Sequence, residues 1–115
     1  MTPATRRIPM LLAVTAAAAL GACGTEDFTA PPPGTVFVAI RDSFFLPESV
    51  AVPLSKSVRW TNEGAAQHTV VSDSALWQSS LLPHTWWFEV RFDSAGVFPY
   101  HCSQHAGMTG IVVVQ

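Results

Sequence analysis

Apolar and polar residues alternate in short runs through most of the chain beyond residue 34, between clusters of turn-forming residues. The alternation has a period of two in residues 35–40, 57–62 and 86–102, and a shorter apolar run contains Val50 and Val52. A period of two is typical of β-strands with one buried face, and no stretch beyond residue 34 has helical periodicity. The pattern therefore predicts an all-β domain, built as a sandwich or a barrel.

Each predicted strand has a mostly apolar row that is expected to face the core. These inner rows are Val36, Val38 and Ile40; Val50 and Val52; Val58, Trp60 and Asn62; and Trp86, Phe88, Val90 and Phe92. The residues between them, such as Arg59, are expected to face solvent. The terminal run Ile111–Val114 is apolar at every position, so we expect it to be buried on both faces.

Residues 86–102 predict a hairpin with its turn at residues 93–96. Alternation along the return strand places Tyr100 and Cys102 on the core-facing side and His101 on the opposite side. Cys102 is therefore expected at the end of an inward-facing row, at the rim of the sandwich.

The first 22 residues have the layout of a bacterial secretory signal. Arg6 and Arg7 precede an apolar run, residues 8–20, which is shorter than the roughly 20 residues that a membrane-spanning helix needs. The following Leu20-Gly21-Ala22-Cys23 resembles the lipobox of bacterial lipoproteins. We therefore expect cleavage before Cys23 and lipid on its sulfur. The alternative is an ordinary signal peptide that is cleaved nearby and leaves Cys23 free.

The chain is thus predicted to have three parts. Residues 1–22 form a lipoprotein signal peptide, and residues 23–34 form a lipidated cysteine with a tether, in which Pro31–Pro33 favour an extended arm. Residues 35–115 form one small domain. The predicted location is the periplasm or the outer face of the cell envelope, with the lipid on Cys23 as a membrane anchor.

Charge and cysteine content narrow the range of possible functions. Without the signal, four basic residues stand against eight acidic ones, a net charge of −4 that argues against nucleic-acid binding. If Cys23 carries lipid, Cys102 has no partner for a disulfide in an oxidising compartment, where thiols normally pair. We therefore expect that some other chemistry uses or protects the Cys102 sulfur.

Three metal-binding side chains follow one another closely near the C-terminus. Cys102, His105 and Met108 form a C-x2-H-x2-M motif between the end of one predicted strand and the start of the next. Soft sulfur ligands select copper, and two histidines with one cysteine and a weak axial methionine make an electron-transfer site. The second histidine is predicted to be His68, since it follows the strand at residues 57–62.

The motif residues are similar to those of the cupredoxins, in particular the plastocyanin and amicyanin branch. The similarity rests on Val58, Trp60 and Asn62, on His68-Thr69-Val70, and on Tyr100, Cys102, His105, Met108 and Gly110. It implies a Greek-key β-sandwich, a cupredoxin domain at residues 35–115, and one type 1 copper held by His68, Cys102, His105 and Met108. It further implies that the edge of His105 is the electron port, with Ala106 beside it.

One position departs from that family. Many cupredoxins have an asparagine after the first histidine ligand, whose hydrogen bonds brace the ligand loop, whereas this chain has Thr69. A threonine hydroxyl can also form hydrogen bonds, but the sequence leaves open whether Thr69 takes over the bracing. His84 and His101 are expected to be solvated and to take no part in metal binding.

The predicted function is a blue-copper protein that shuttles single electrons between transient redox protein partners and is not an enzyme. We expect a monomer that meets the membrane through acylated Cys23. The main alternative is a copper storage or delivery module. A catalytic copper with an open coordination position is a weaker alternative, because Met108 would occupy that position.

Overall fold

The computed structural model of the chain describes residues 30–115, and these form eight β-strands. The predicted signal peptide at 1–22, the predicted lipidation site at Cys23 and most of the predicted tether at 23–34 therefore lie outside the described residues. The strands are β1 (Val36–Ile40), β2 (Phe45–Leu46), β3 (Ser49–Val52), β4 (Ser57–Asn62), β5 (Val71–Ser72), β6 (Trp87–Arg91), β7 (Gly96–His101) and β8 (Thr109–Val114). Within residues 30–115 there is no helix of a length and hydropathy suited to crossing a bilayer.

The strands form two four-stranded sheets of mixed direction. One sheet has the order β2-β1-β4-β6 and the other has the order β3-β8-β7-β5. β1 runs parallel to β4, and β3 runs parallel to β8, while the remaining pairs are antiparallel. The predicted all-β sandwich is confirmed.

Most of the predicted inner rows fill the space between the sheets, because alternate side chains of a strand point to one face. Buried positions include Val38, Ile40, Val50, Val52, Val58, Phe92 and Val112. Trp60 and Tyr100 are fully buried, as predicted, and their rings meet edge to face at 5.2 Å. Burial raises the pKa of Tyr100 to about 12, so the ring is a neutral packing element.

The prediction of a hairpin at residues 86–102 is wrong. β6 pairs with β4 and β7 pairs with β8 and β5, so the turn at residues 93–96 crosses from one sheet to the other. Period-two alternation fixes which face of a strand is buried, but it does not identify the partner strand. Trp86 is also not an inward-facing residue: it precedes β6, its N–H donates to the carbonyl of Pro83, and its side chain is 57% exposed.

Two predictions about burial also need correction. Arg59 is buried rather than solvated, because its guanidinium stacks 3.7 Å from the ring centre of Trp87 and its Nε donates to Glu89 at 2.9 Å. The strand β8 is not buried on both faces. Val112 and Val114 are buried, whereas Ile111 is 38% exposed and Val113 is half-buried.

The topology places three loops at the same end of the sandwich. β1 and β4 are parallel and in register, so that Ile40 lies opposite Asn62 and the loops that follow the two strands begin side by side. The loop after β4 also contacts the loop after β7, since the N–H of Thr69 donates to the sulfur of Cys102. The residues that the sequence marks as ligands lie in these loops.

Candidate metal centre

His68 lies in the loop after β4, where both its backbone N–H and its backbone carbonyl are hydrogen-bonded. It exchanges two backbone hydrogen bonds with Leu82, of 3.2 and 2.8 Å. The loop itself is braced by Asn62, whose amide donates to the carbonyls of Ala66 and Leu82 and accepts the N–H of Gly64. All polar atoms of the Asn62 side chain are thus used, which explains why a polar residue occupies a fully buried position. The His68 side chain is also fully buried.

Cys102, His105 and Met108 lie in the loop between β7 and β8, which closes on itself. The N–H of Cys102 donates to the carbonyl of Met108 at 3.0 Å, and the N–H of Met108 donates to the carbonyl of His105 at 3.3 Å. Gly107 has a φ of +80°, a left-handed conformation that glycine adopts without strain. These contacts bring Met108 next to Cys102, and both residues are buried.

The structure brings three predicted ligands together around one point. Cys102 Sγ lies 3.8 Å from Nδ1 of His68 and 3.7 Å from Nδ1 of His105. The ligand atoms of these three residues all lie within 4.8 Å of one another, and the two imidazole rings are 4.7 Å apart between centres. Cys102 is a free cysteine, so its sulfur is available as a ligand.

The spacing of these donors fits a single metal ion of the size of zinc, and their chemistry favours copper. With bond lengths of about 2.0 Å to nitrogen and 2.3 Å to sulfur, which suit zinc, donors separated by about 120° in a plane lie about 3.7 Å apart. The two sulfur–nitrogen distances agree with that spacing. A thiolate and two imidazoles with a methionine nearby are the donors of an electron-transfer copper site.

Backbone N–H groups point at the cysteine sulfur from two sides. Thr69 N and Gln104 N each lie 3.4 Å from Cys102 Sγ. Donors of this kind stabilise negative charge on the sulfur, because a hydrogen bond to the charged form favours that form. The two N–H groups therefore hold the buried sulfur between the loop after β4 and the ligand loop.

Thr69 also takes on the bracing role that the sequence left open. Its hydroxyl accepts the N–H of Ser103 at 2.8 Å and lies 2.8 Å from the Ser103 hydroxyl. The same hydroxyl is 3.9 Å from Cys102 Sγ. A single threonine thus connects the loop after β4 to the ligand loop, next to the sulfur.

Asp42 contacts the site and was not singled out from the sequence. Its Oδ1 lies 3.2 Å from Nε2 of His68 and accepts the N–H of Ala66 at 2.9 Å. The backbone N–H groups of Ala66 and Ala65, together with the His68 ring, lower the pKa of Asp42 to about 2. The sequence gives no direct signal for this contact, because Asp42 and His68 are 26 residues apart and meet only through the β1–β4 pairing.

The two remaining histidines have other partners. His84 is exposed, and its Nδ1 lies 2.9 Å from the carbonyl of Gly64. His101 is half-buried, and its Nδ1 lies 2.6 Å from Asp73 Oδ1. Neither ring belongs to the three-ligand group.

A β-sandwich that brings two histidines and a buried cysteine together at one end, with a methionine alongside, defines a mononuclear copper domain. Comparison with known proteins agrees. The chain is 31% identical over 110 residues to amicyanin-alpha of Methylorubrum extorquens. The alignment covers 91% of this chain and 92% of that relative. It is also 31% identical over 84 residues to plastocyanin of Scenedesmus fuscus, in an alignment that covers 62% of this chain and 86% of that relative. The chain belongs to the cupredoxin family.

Solved structures give the same result for the fold. A purple cupredoxin from Nitrosopumilus maritimus matches with a TM-score of 0.66 at 26% identity, over 70% of this chain and 99% of that protein. An oxidised amicyanin mutant matches with a TM-score of 0.66 at 25% identity, over 73% of this chain and 85% of that protein. No protein-family model matches the chain. Together with the His68, Cys102 and His105 group, these relatives identify a type 1 copper electron-transfer protein that binds one copper.

Proposed function

We propose that this protein shuttles single electrons between two redox partners in the bacterial cell envelope, at one copper held by His68, Cys102, His105 and Met108. The observation that carries the proposal is the group of three donors around Cys102 Sγ, whose sulfur–nitrogen spacings of 3.7 and 3.8 Å suit a single ion. A copper ion in such a site supplies a one-electron couple between its cupric and cuprous forms.

The task of the protein is to hold the donors in one arrangement that suits both oxidation states. His68 and Met108 are almost completely buried, and Cys102 is only 4% exposed. Their loops are tied together by the Thr69–Ser103 contacts and by the closed hydrogen bonding of the ligand loop. Because the donors are fixed before the electron arrives, little rearrangement accompanies its transfer.

The route for the electron is through His105. This ring is only half-buried, and the neighbouring Ala106 and Gly107 are exposed, so the loop offers a small, uncharged surface at the end of the sandwich. Ala65 and Ala66, in the loop after β4, are exposed as well. A small, uncharged surface suits brief encounters with partners, and rapid electron exchange needs such brief encounters.

The experiment that tests the proposal compares electron transfer with copper delivery. We expect the copper-loaded domain of residues 25–115 to give a reversible one-electron wave in voltammetry, and to retain Cu(I) when challenged with a Cu(I) chelator. A copper storage or delivery module would instead release Cu(I) readily and give a poor or strongly displaced wave. That second outcome would replace electron transfer with copper handling as the function.

We further propose that the chain is exported and anchored through Cys23, with residues 1–22 removed and residues 23–34 as a tether to the domain at 35–115. The support is the apolar run at residues 8–20 followed by Leu20-Gly21-Ala22-Cys23. Lipid on the new N-terminus would keep a monomeric carrier close to membrane-bound donors and so raise their effective concentration.

A fractionation experiment tests the anchor separately from the copper. We expect the full chain, expressed in a Gram-negative host, to sediment with membranes and to incorporate labelled fatty acid. The variant Cys23→Ser is expected to lose the label and to appear in the soluble fraction or unprocessed. Equal membrane association and no label in both forms would contradict the lipid anchor.

A further inference from the structure

The loop after β1 carries a carboxylate to the side of His68 that faces away from Cys102. β1 and β4 end side by side, with Ile40 opposite Asn62, so the loops that follow them are neighbours. Asp42 in the first loop reaches His68 in the second, and its Oδ1 lies 3.2 Å from Nε2 of the ring. The other ring nitrogen, Nδ1, is the one that lies 3.8 Å from the cysteine sulfur.

This arrangement fixes which nitrogen of His68 carries the proton. An imidazole that binds a metal through Nδ1 keeps its hydrogen on Nε2, where it acts as a hydrogen-bond donor. An ionised carboxylate has no hydrogen to donate, so it can only accept the hydrogen bond from Nε2. The Asp42 oxygen therefore stabilises the form of His68 in which Nδ1 is free to bind copper.

The Asp42 side chain is held in place by contacts other than His68. Its Oδ1 also accepts the N–H of Ala66 at 2.9 Å. The approach is possible because residue 64 is glycine: a Cβ there would collide with the Asp42 carboxylate. Gly64 has no left-handed φ, so its small size, and not its backbone freedom, is what the contact requires.

We propose that Asp42 is the positioning partner of His68, orienting its ring toward the copper and lowering the reduction potential of the site. The inference depends on the proposed copper function. A negative charge hydrogen-bonded to a ligating imidazole makes the ligand more basic and favours Cu(II), the more highly charged ion, over Cu(I). Partners of this kind typically change metal affinity by about 10- to 100-fold.

The test measures the reduction potential in a set of matched variants. Asp42→Asn keeps an oxygen that can accept the hydrogen bonds from Ala66 and His68 and removes only the charge. We expect Cu(II) to be weakened about tenfold more than Cu(I), which corresponds to an increase of about 59 mV for one electron. Gly64→Ala, which retains the charge but displaces the carboxylate, is expected to raise the potential in the same direction.

Glu63→Gln is the control for charge alone. Glu63 lies next to Gly64 and pairs with Arg41 at 3.1 Å, where both side chains are about half exposed. Glu63→Gln therefore removes a unit charge from the loop that contains His68 without removing a contact to the His68 ring. We expect it to shift the reduction potential much less than Asp42→Asn does. Thermal unfolding of each metal-free variant shows whether the fold is retained.

A readout that does not depend on the potential is the Nε2–H resonance of His68 in the diamagnetic Cu(I) protein. We expect slow exchange of this proton with water in the wild type and faster exchange in Asp42→Ala, which lacks the acceptor. If the wild type is blue but Asp42→Asn shifts the potential no more than Glu63→Gln, the inference is wrong and the proposed function stands. A wild type without a blue centre would overturn both.

Discussion

The hydroxyl of Thr69 is the contact by which the fold connects the first histidine loop to the ligand loop, and its removal can be isolated by mutation. Thr69→Val replaces the hydroxyl with a methyl group of similar size, so that packing is largely kept. The change removes the acceptor of the Ser103 N–H, at 2.8 Å, and the contact with the Ser103 hydroxyl, also at 2.8 Å. The backbone N–H of Thr69, which points at the cysteine sulfur, remains.

The expected cost follows from the hydrogen bond that loses its acceptor. A buried donor left without a partner costs about 1–3 kcal/mol. Ser103 is exposed, and its hydroxyl can turn to water, so that only its part-buried N–H loses a partner. We therefore expect Thr69→Val to lower the free energy of unfolding by about 1–2 kcal/mol.

Urea unfolding of the metal-free domain measures this cost without a contribution from copper. The midpoint is expected to fall while the dependence of the free energy on urea stays constant, because the surface exposed on unfolding is unchanged. Thr69→Ser keeps the hydroxyl and is the matched control, expected to lie closer to the wild type than the valine variant. A valine variant within about 0.5 kcal/mol of the wild type, the usual range for neutral surface changes, would refute the bracing role.

Three further predictions concern the same end of the sandwich and its core. Asn62→Ala removes three hydrogen bonds from a fully buried side chain and should lower the free energy of unfolding by about 3 kcal/mol; wild-type stability in urea would contradict the bracing of the His68 loop. Gly110→Ala places a Cβ against the buried ring of Tyr100 and should cost about 1–3 kcal/mol by overpacking, again measured in urea, where an unchanged midpoint would show that the ring can move aside. Removal of copper should lower the stability by about 4 kcal/mol relative to a protein with free copper at 1,000 times the dissociation constant, and equal melting temperatures with and without copper would contradict a site formed only in the folded state.

Much of the fold can be predicted from the sequence, because burial in a half-exposed sheet imposes a period of two. The inner rows around Trp60 and Tyr100 follow from that period alone. Strand pairing does not, and so the segment at residues 86–102 was wrongly predicted as a hairpin. The partner of β6 is β4, which lies 25 or more residues earlier in the chain.

The burial of Arg59 shows a second limit of the sequence pattern. A charged residue at an outward position is predicted to be solvated, but here Trp87 and Glu89 on the neighbouring strand cover it. Each contact depends on the β4–β6 register, in which Arg59 lies opposite Glu89. Periodicity along one strand contains no information about that register.

The candidate site, too, could be predicted from the sequence only in part. Cys102, His105 and Met108 are close in sequence, so their short loop predicts that they share one site. The proximity of His68 was expected mainly from resemblance to a family, and the structure places its Nδ1 3.8 Å from the sulfur. Asp42 had no local signal at all, because it reaches the site through a parallel strand pair.

The central claim is that Cys102 binds copper together with two histidines, and the absorption spectrum tests it most directly. We expect the domain of residues 25–115 to turn intensely blue on addition of one equivalent of Cu(II), with a visible band and an EPR signal that are both characteristic of copper–thiolate bonding. Cys102→Ser is expected to lose the band while its metal-free form stays folded. A colourless wild-type complex with square-planar Cu(II), or a visible band that survives in Cys102→Ser, would contradict the claim.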